Sequence, residues 1–136
     1  MQIKFNIETI GFINSFESLT NTHVKDCYIN NKENVVFVVG VGEAGKAIGK
    51  NGVNVKNMSD KLKKIVKVIE FNPDPARFVE NAIYPLKCII NLENNVIMIK
   101  AGDTKTKGLL IGREQQNLNE LKELVSKYFK MEVKVL

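Results

Sequence analysis

Apolar and polar positions along the chain follow an order that occurs twice. From Glu8 to Thr20, Phe12, Ile13, Phe16 and Leu19 recur at helical spacing, which predicts an amphipathic helix with those four on its buried face. Gly11 lies inside it and costs roughly 1 kcal/mol relative to alanine. Two strands follow at 24–30 and 34–40, joined by the polar turn Asn30-Asn31-Lys32-Glu33. A short helical stretch then ends at Ile48, and a second carries Val55, Met58 and Leu62 at helical spacing. A strand at 65–71 completes the series. The second half opens with Asp74 as a helix cap and Pro75 at the first helical position. Phe78, Val79, Ala82 and Ile83 supply its apolar face, and Pro85 stops it. Strands at 86–92 and 95–101 flank the turn Glu93-Asn94, and a last strand occupies 131–136.

The two halves also align residue by residue. Cys27-Tyr28-Ile29-Asn30 matches Cys88-Ile89-Ile90-Asn91 at an offset of 61, and Asn34–Val38 matches Asn95–Ile99 at the same offset. A shift of two residues brings Gly45–Lys50 over Gly108–Arg113, Asn54 over Asn117 and Val55 over Leu118. A further three align Lys64–Val68 with Lys130–Lys134. Small shifts confined to turns are the signature of a duplicated unit. The predicted class is therefore α/β (α+β), with two units of order helix-strand-strand-helix-helix-strand. Each has a three-stranded sheet covered by helices. The units are placed at 1–72 and 73–136, and Asn72-Pro73-Asp74 is a short linker stiffened by proline.

Composition narrows the chemistry. The net charge is +5, from 18 lysines and 2 arginines against 15 acids, and it is shared between the halves, +3 in 1–72 and +2 in 73–136. A mild basic excess favours a polyanionic partner but is also ordinary solvation. Cys27 and Cys88 lie in apolar strands and form no Cys-x-x-Cys pair, and His23 is the one histidine. Both cysteines therefore read as small core residues, and no metal is expected. With no apolar run near 18 residues and no signal-peptide pattern, the chain is expected to be soluble and cytoplasmic, without membrane contact.

The glycine-rich stretch from Gly40 to Gly52 admits three readings. Gly40, Gly42 and Gly45 follow a strand as G-x-G-x-x-G, with Glu70 at the end of the next strand, which suggests a dinucleotide site. That fingerprint needs an unbroken helix after its third glycine. Here Gly49-Lys50-Asn51-Gly52 breaks the helix after about one turn, and the second unit lacks the glycines. Gly40, Gly45 and Lys46 also satisfy most of a P-loop, but Ala47 has no hydroxyl for magnesium. The third reading makes Gly49–Gly52 a tight turn between two helices. Its glycines allow close backbone approach, and the following helix aims free N–H groups at the turn. Lys46, Lys50 and Lys56 add positive charge, a combination suited to a phosphate backbone. Gly112-Arg113-Glu114-Gln115 holds the equivalent place in the second unit.

Two such loops in matching α/β units resemble the GXXG loops of KH domains, which clamp about four nucleotides of single strand. The element order is similar to type II KH domains, and the tandem resembles the KH pair of the NusA family over essentially the whole chain. The chain looks like a short archaeal member, without the polymerase-binding and S1 domains of bacterial relatives. The resemblance implies single-stranded RNA as ligand, a nascent transcript, and a role in transcription elongation, termination or antitermination. RNA polymerase is a further candidate partner. The RNA-binding residues so implied are Lys46, Ile48, Gly49, Lys50, Asn51, Gly52, Val53 and Lys56 in the first unit. In the second they are Lys107, Ile111, Gly112, Arg113 and Gln115. Lys105 adds charge there. Bases would lie in a groove between loop helices and sheet edge, with Ile48, Val53, Val55 and Met58 as candidate walls. Core packing suits each of them equally well, since Val55, Met58 and Leu62 share helical spacing. No aromatic occurs in 40–64 or 101–127, so aliphatic contacts and base-edge hydrogen bonds replace stacking.

The second loop departs from the pattern. It lacks the closing glycine, Gln115 is expected to narrow the approach, and Glu114 to repel phosphate. Weaker binding is expected there. No paired carboxylates, nucleophile elbow or histidine cluster suggests an enzyme, and no cofactor or small-molecule substrate is expected. The competing readings are a ribosome-associated or general KH module and, more remotely, a nucleotide-binding enzyme using Gly40–Lys46.

Overall fold

A computed structural model describes residues 6–136, so the first five residues of the predicted 1–72 unit lie outside the described residues. The chain divides into two compact units, one ending at Phe71 and the other beginning at Asn72.

In the first unit, helix α1 spans Ile7–Thr20 and starts from a capping box. Thr9 N–H donates to Asn6 Oδ1 at 2.8 Å, and Asn6 N–H donates to Thr9 Oγ1 at 3.0 Å. The buried stripe of α1 is Thr9, Phe16 and Thr20, with Phe12 and Ile13 partly buried beside them. Leu19 is 43% exposed, so its expected place on the buried face is corrected. At 100° per residue Leu19 stands about 80° from the stripe's centre, beyond the reach of the sheet. Thr20 fills the buried position instead and keeps its hydroxyl satisfied on Phe16 O at 2.7 Å.

Strands β1 (Val24–Ile29) and β2 (Val35–Val39) pair antiparallel, with an irregularity between Val24 and Asp26. The chain then crosses over through α2 (Ala44–Ile48), a 3₁₀ turn (Lys50–Gly52) and α3 (Val53–Leu62). It returns as β3 (Val66–Glu70), parallel to β2, giving the order β1-β2-β3. Phe16 of α1 stacks on Phe37 of the central strand, with ring centroids 4.2 Å apart. Ala47 and Met58 bring α2 and α3 onto the same cluster.

The second unit follows the same plan. Helix α4 is Pro75–Ile83, and Asp74 accepts from Ala76 N–H at 3.0 Å. Strands β4 (Cys88–Glu93) and β5 (Val96–Ala101) pair antiparallel about Asn94 and Asn95, both with positive φ. The turn is thus centred one residue later than Glu93-Asn94. Asparagine tolerates the left-handed region, so both central turn positions fall on Asn. Helix α5 (Thr104–Ile111), a 3₁₀ turn (Arg113–Gln115) and α6 (Gln116–Tyr128) lead to β6 (Glu132–Val135), parallel to β5. Val79, Ile97, Ile99, Leu121 and Val125 form its core. Cys27 is buried in β1, while Cys88 is only partly covered at one end of β4. No helix among the described residues is long and apolar enough to cross a membrane.

Candidate nucleic-acid interface

Each loop sits where two helices on one side of a sheet meet end to end. Gly49 ends α2 at φ 81° and ψ 168°, a region open essentially to glycine alone. Asn51 follows at φ 56° and ψ 26°, and Gly52 at φ 75° and ψ 17° opens α3. In the second unit Gly112 stands at φ 76° and ψ 173°, Glu114 at 53° and 30°, and Gln115 at 63° and 20°. The two backbones therefore trace one path. Gln115 takes the left-handed conformation that Gly52 takes, despite carrying a side chain.

Hydrogen bonding leaves this path open toward solvent. Gly52 N–H donates to Gly49 O at 3.0 Å and Val53 N–H donates to Lys50 O. Among the described residues, no group accepts from the Lys50 or Asn51 N–H. Helices α1, α4 and α5 each have a side-chain cap, from Asn6, Asp74 and Asp103. Helices α3 and α6, which start from the loops, have none. Val53 and Gln116 bond within the turns, and the next N–H groups of these first turns point at the loop, where an anion would complete them.

The start of α2 is closed by contrast. Glu70 Oε1 accepts from Ala44 N–H at 3.1 Å, so a carboxylate already occupies the place a pyrophosphate would need. Glu43 turns instead to accept from His23 N–H. Helix α2 itself is five residues long. This carboxylate and the short helix thus count against the dinucleotide and P-loop readings of Gly40–Lys46. Among the described residues, no group of three or more His, Cys, Asp or Glu could hold a metal ion.

The predicted residues sort by burial. Lys46, Lys50, Asn51 and Lys56 are exposed, and Ile48 and Val53 present 38% and 46% of their surface beside the turn. Val55 and Met58 do not line a groove wall; Met58 is buried in the core and Val55 packs against it. Their spacing from Leu62 places all three on the sheet-facing side of α3. Lys107, Arg113 and Gln115 are exposed, whereas Ile111 is half-buried. In the second unit a groove of about 690 Å³ runs between α6 and the outer edge of β6. Asn119, Lys122 and Glu123 face Met131, Val133 and Lys134 across it. Lys122 and Glu123 of α6 border this groove.

One pair of residues carries more than its sequence signal suggested. Asn54 Nδ2 donates to Lys46 O at 3.0 Å, bridging α3 back to α2 across the turn. Asn117 Nδ2 donates to Leu109 O at 2.9 Å, the same bridge in the second unit. The repeat alignment already paired these two asparagines, and that pairing was the available signal.

A model for the KH domain matches residues 13–96, more than half of the chain. The chain belongs to the KH domain family. It is NusA-like within that family. It is 31% identical over 131 residues to the "Probable transcription termination protein NusA" of Methanococcus vannielii, covering 93% of this chain and 75% of that one. The protein of the same description from Halobacterium salinarum (strain R1) is 32% identical, over 95% of this chain and 94% of its own. The crystal structure of APE1850 is similar over 97% of this chain and 100% of that one, with a TM-score of 0.74 and 27% identity. This NusA-like chain therefore aligns with the last two proteins over nearly their whole lengths.

Proposed function

We propose that this NusA-like chain is a non-enzymatic protein that binds single-stranded RNA and acts on nascent transcripts during elongation, termination or antitermination. The observation that carries the reading is the pair of matched loops, each opening a helix that has no side-chain cap. A phosphate at Gly49–Gly52 would receive the N–H groups of Lys50 and Asn51 and the charge of Lys46, Lys50 and Lys56. Glycine at positions 49 and 52 keeps side chains out of its way. Ile48 and Val53, exposed beside the turn, would meet the sugars and bases. The relatives' descriptions as transcription termination proteins support the cellular setting, and RNA polymerase is the partner that setting implies.

Residues 73–136 make the second KH domain in this reading, after a first at 1–72. Its loop keeps the backbone path, with Arg113 and Lys107 for charge, and its groove along α6 and β6 would take bases at the strand edge. Glu114 replaces Asn51 at the tip and opposes a phosphate there. The second domain therefore binds RNA more weakly than the first.

The test is the double variant Lys50→Asp with Asn51→Asp, followed by fluorescence anisotropy with a labelled oligoribonucleotide. A folded protein with sharply reduced affinity is expected; unchanged affinity would exclude the first loop as the clamp. Calorimetry with NAD and ATP bears on the enzymatic rival, because micromolar binding there without RNA binding would overturn the proposal. Sequencing RNA cross-linked in cells separates nascent messenger RNA, expected here, from ribosomal RNA.

A further inference from the structure

The two loops keep one backbone path although their closing residues differ, Gly52 in one and Gln115 in the other. The loop residues alone do not explain this, since a glutamine gains nothing from left-handed dihedrals. What the loops share is the asparagine just beyond them. Asn54 and Asn117 sit in the first turns of α3 and α6. Each side-chain amide reaches back over the turn to a carbonyl of the preceding helix, three residues before the first loop glycine. Carbonyls in the last turn of a helix lack intrahelical partners, so the bridge satisfies one of them and joins the two helices at a fixed angle.

The same amide group determines what the glycine can be. A Cβ on Gly49 would lie 2.9 Å from both Cγ and Nδ2 of Asn54. On Gly112 it would lie 2.7 Å from the same atoms of Asn117. The asparagine therefore occupies the space that the missing side chain leaves, and the turn closes down onto it.

We propose that Asn54 is a positioning residue for the RNA-backbone clamp, and that Asn117 does the same work in the second unit. The bridge holds α2 and α3 so that the Lys50 and Asn51 N–H groups converge on one phosphate. Asn117 holds Arg113–Gln115 in the same form with the closing glycine gone. This rests on the RNA reading above. It adds that the clamp's shape is set by a side chain outside the four-residue loop.

The experiment uses the full chain with Asn54→Ala and Asn54→Asp. The aspartate keeps the shape but offers no donor to Lys46 O. Anisotropy with a labelled oligoribonucleotide across a salt series is combined with amide hydrogen exchange. Loss of one such bond should weaken binding roughly three- to tenfold. The salt dependence should become shallower by about 0.7 log units per decade for each phosphate that the clamp no longer neutralises. Exchange should quicken at the bonded amides of Gly49, Gly52 and Val53 while amides of β2 and around Met58 stay protected. A purely architectural residue would speed exchange throughout the unit and leave the salt slope of the folded protein unchanged, which would overturn the proposal.

The Lys50→Asp, Asn51→Asp double variant serves as reference. If it weakens binding and both Asn54 variants bind like wild type, the positioning role falls while the clamp stands. If none of the variants weakens binding, the clamp itself falls and the positioning role with it. Should Asn54→Ala fail to fold, Asn117→Asp provides the second reading. Faster exchange confined to the bonded amides of Gly112, Gln115 and Gln116 supports the bridge, and unchanged exchange there overturns it.

Discussion

At Gln115 a side chain stands where its counterpart, Gly52, has none, and the backbone follows the glycine's path regardless. Left-handed dihedrals cost an ordinary residue on the order of 1 kcal/mol relative to glycine. Gln115→Gly should accordingly raise stability by about 0.5–1 kcal/mol, read from urea unfolding of the two proteins. Cysteine chemistry is also set residue by residue. Burial, then the nearby charges of Asp26 and Glu8, push the Cys27 thiol up to about 12. Burial and then Asp103 raise Cys88 as well, though it is less covered. Iodoacetamide at pH 8 should modify Cys88 first and reach Cys27 only on unfolding, as mass spectrometry of the peptides would show. The sign for stability follows from the same shift. The unfolded chain releases this proton near its ordinary value of 9.0 and the folded chain near 12, so the thiol's contribution holds below 9.0 and is lost between them. Cys27→Ala should flatten that alkaline decline. At this scale the sequence showed which residues are glycine, lysine or cysteine. It did not show that Gln115 would accept a glycine's dihedrals, because that depends on the Asn117 bridge beyond it.

The helices show how much a one-dimensional pattern can carry. Helix α4 was legible nearly to the residue, since Asp74, Pro75 and Pro85 are local signals that need no tertiary context. Removing the cap with Asp74→Ala should cost about 1 kcal/mol in a urea titration. Helix α1 was legible in extent but not in its face. Thr9 and Thr20 are buried there with their hydroxyls bonded locally, and a polarity pattern counts such residues as exposed. Gly11 lies on the exposed side, with nothing within 4 Å of where a Cβ would be. Gly11→Ala should therefore stabilise the fold by about 1 kcal/mol, measured as a rise in the thermal midpoint. On α3, Val55 and Met58 were ambiguous between wall and core. Helical spacing says that residues share a face but not which way that face points, and packing against Phe16 and Phe37 settles it for Met58.

For the whole molecule, the net charge of +5 makes RNA affinity an ionic-strength-dependent quantity. Affinity for an oligoribonucleotide should fall as salt rises, at about 0.7 log units per decade for each phosphate neutralised. A flat profile would count against a backbone clamp. The repeat, the element order and the loop positions were all present in the sequence, because a duplicated unit repeats its apolar periodicity and its turn residues together. By itself the sequence determined the α/β class, the glycines that allow the turn and the lysines around it. Those follow from local propensity and spacing. Only the tertiary structure decided that Glu70 closes the start of α2, that α3 and α6 begin without side-chain caps, and that Asn54 and Asn117 reach back across the turns. Each of these depends on where one element's polar groups meet another's, and spacing along the chain does not contain that distance.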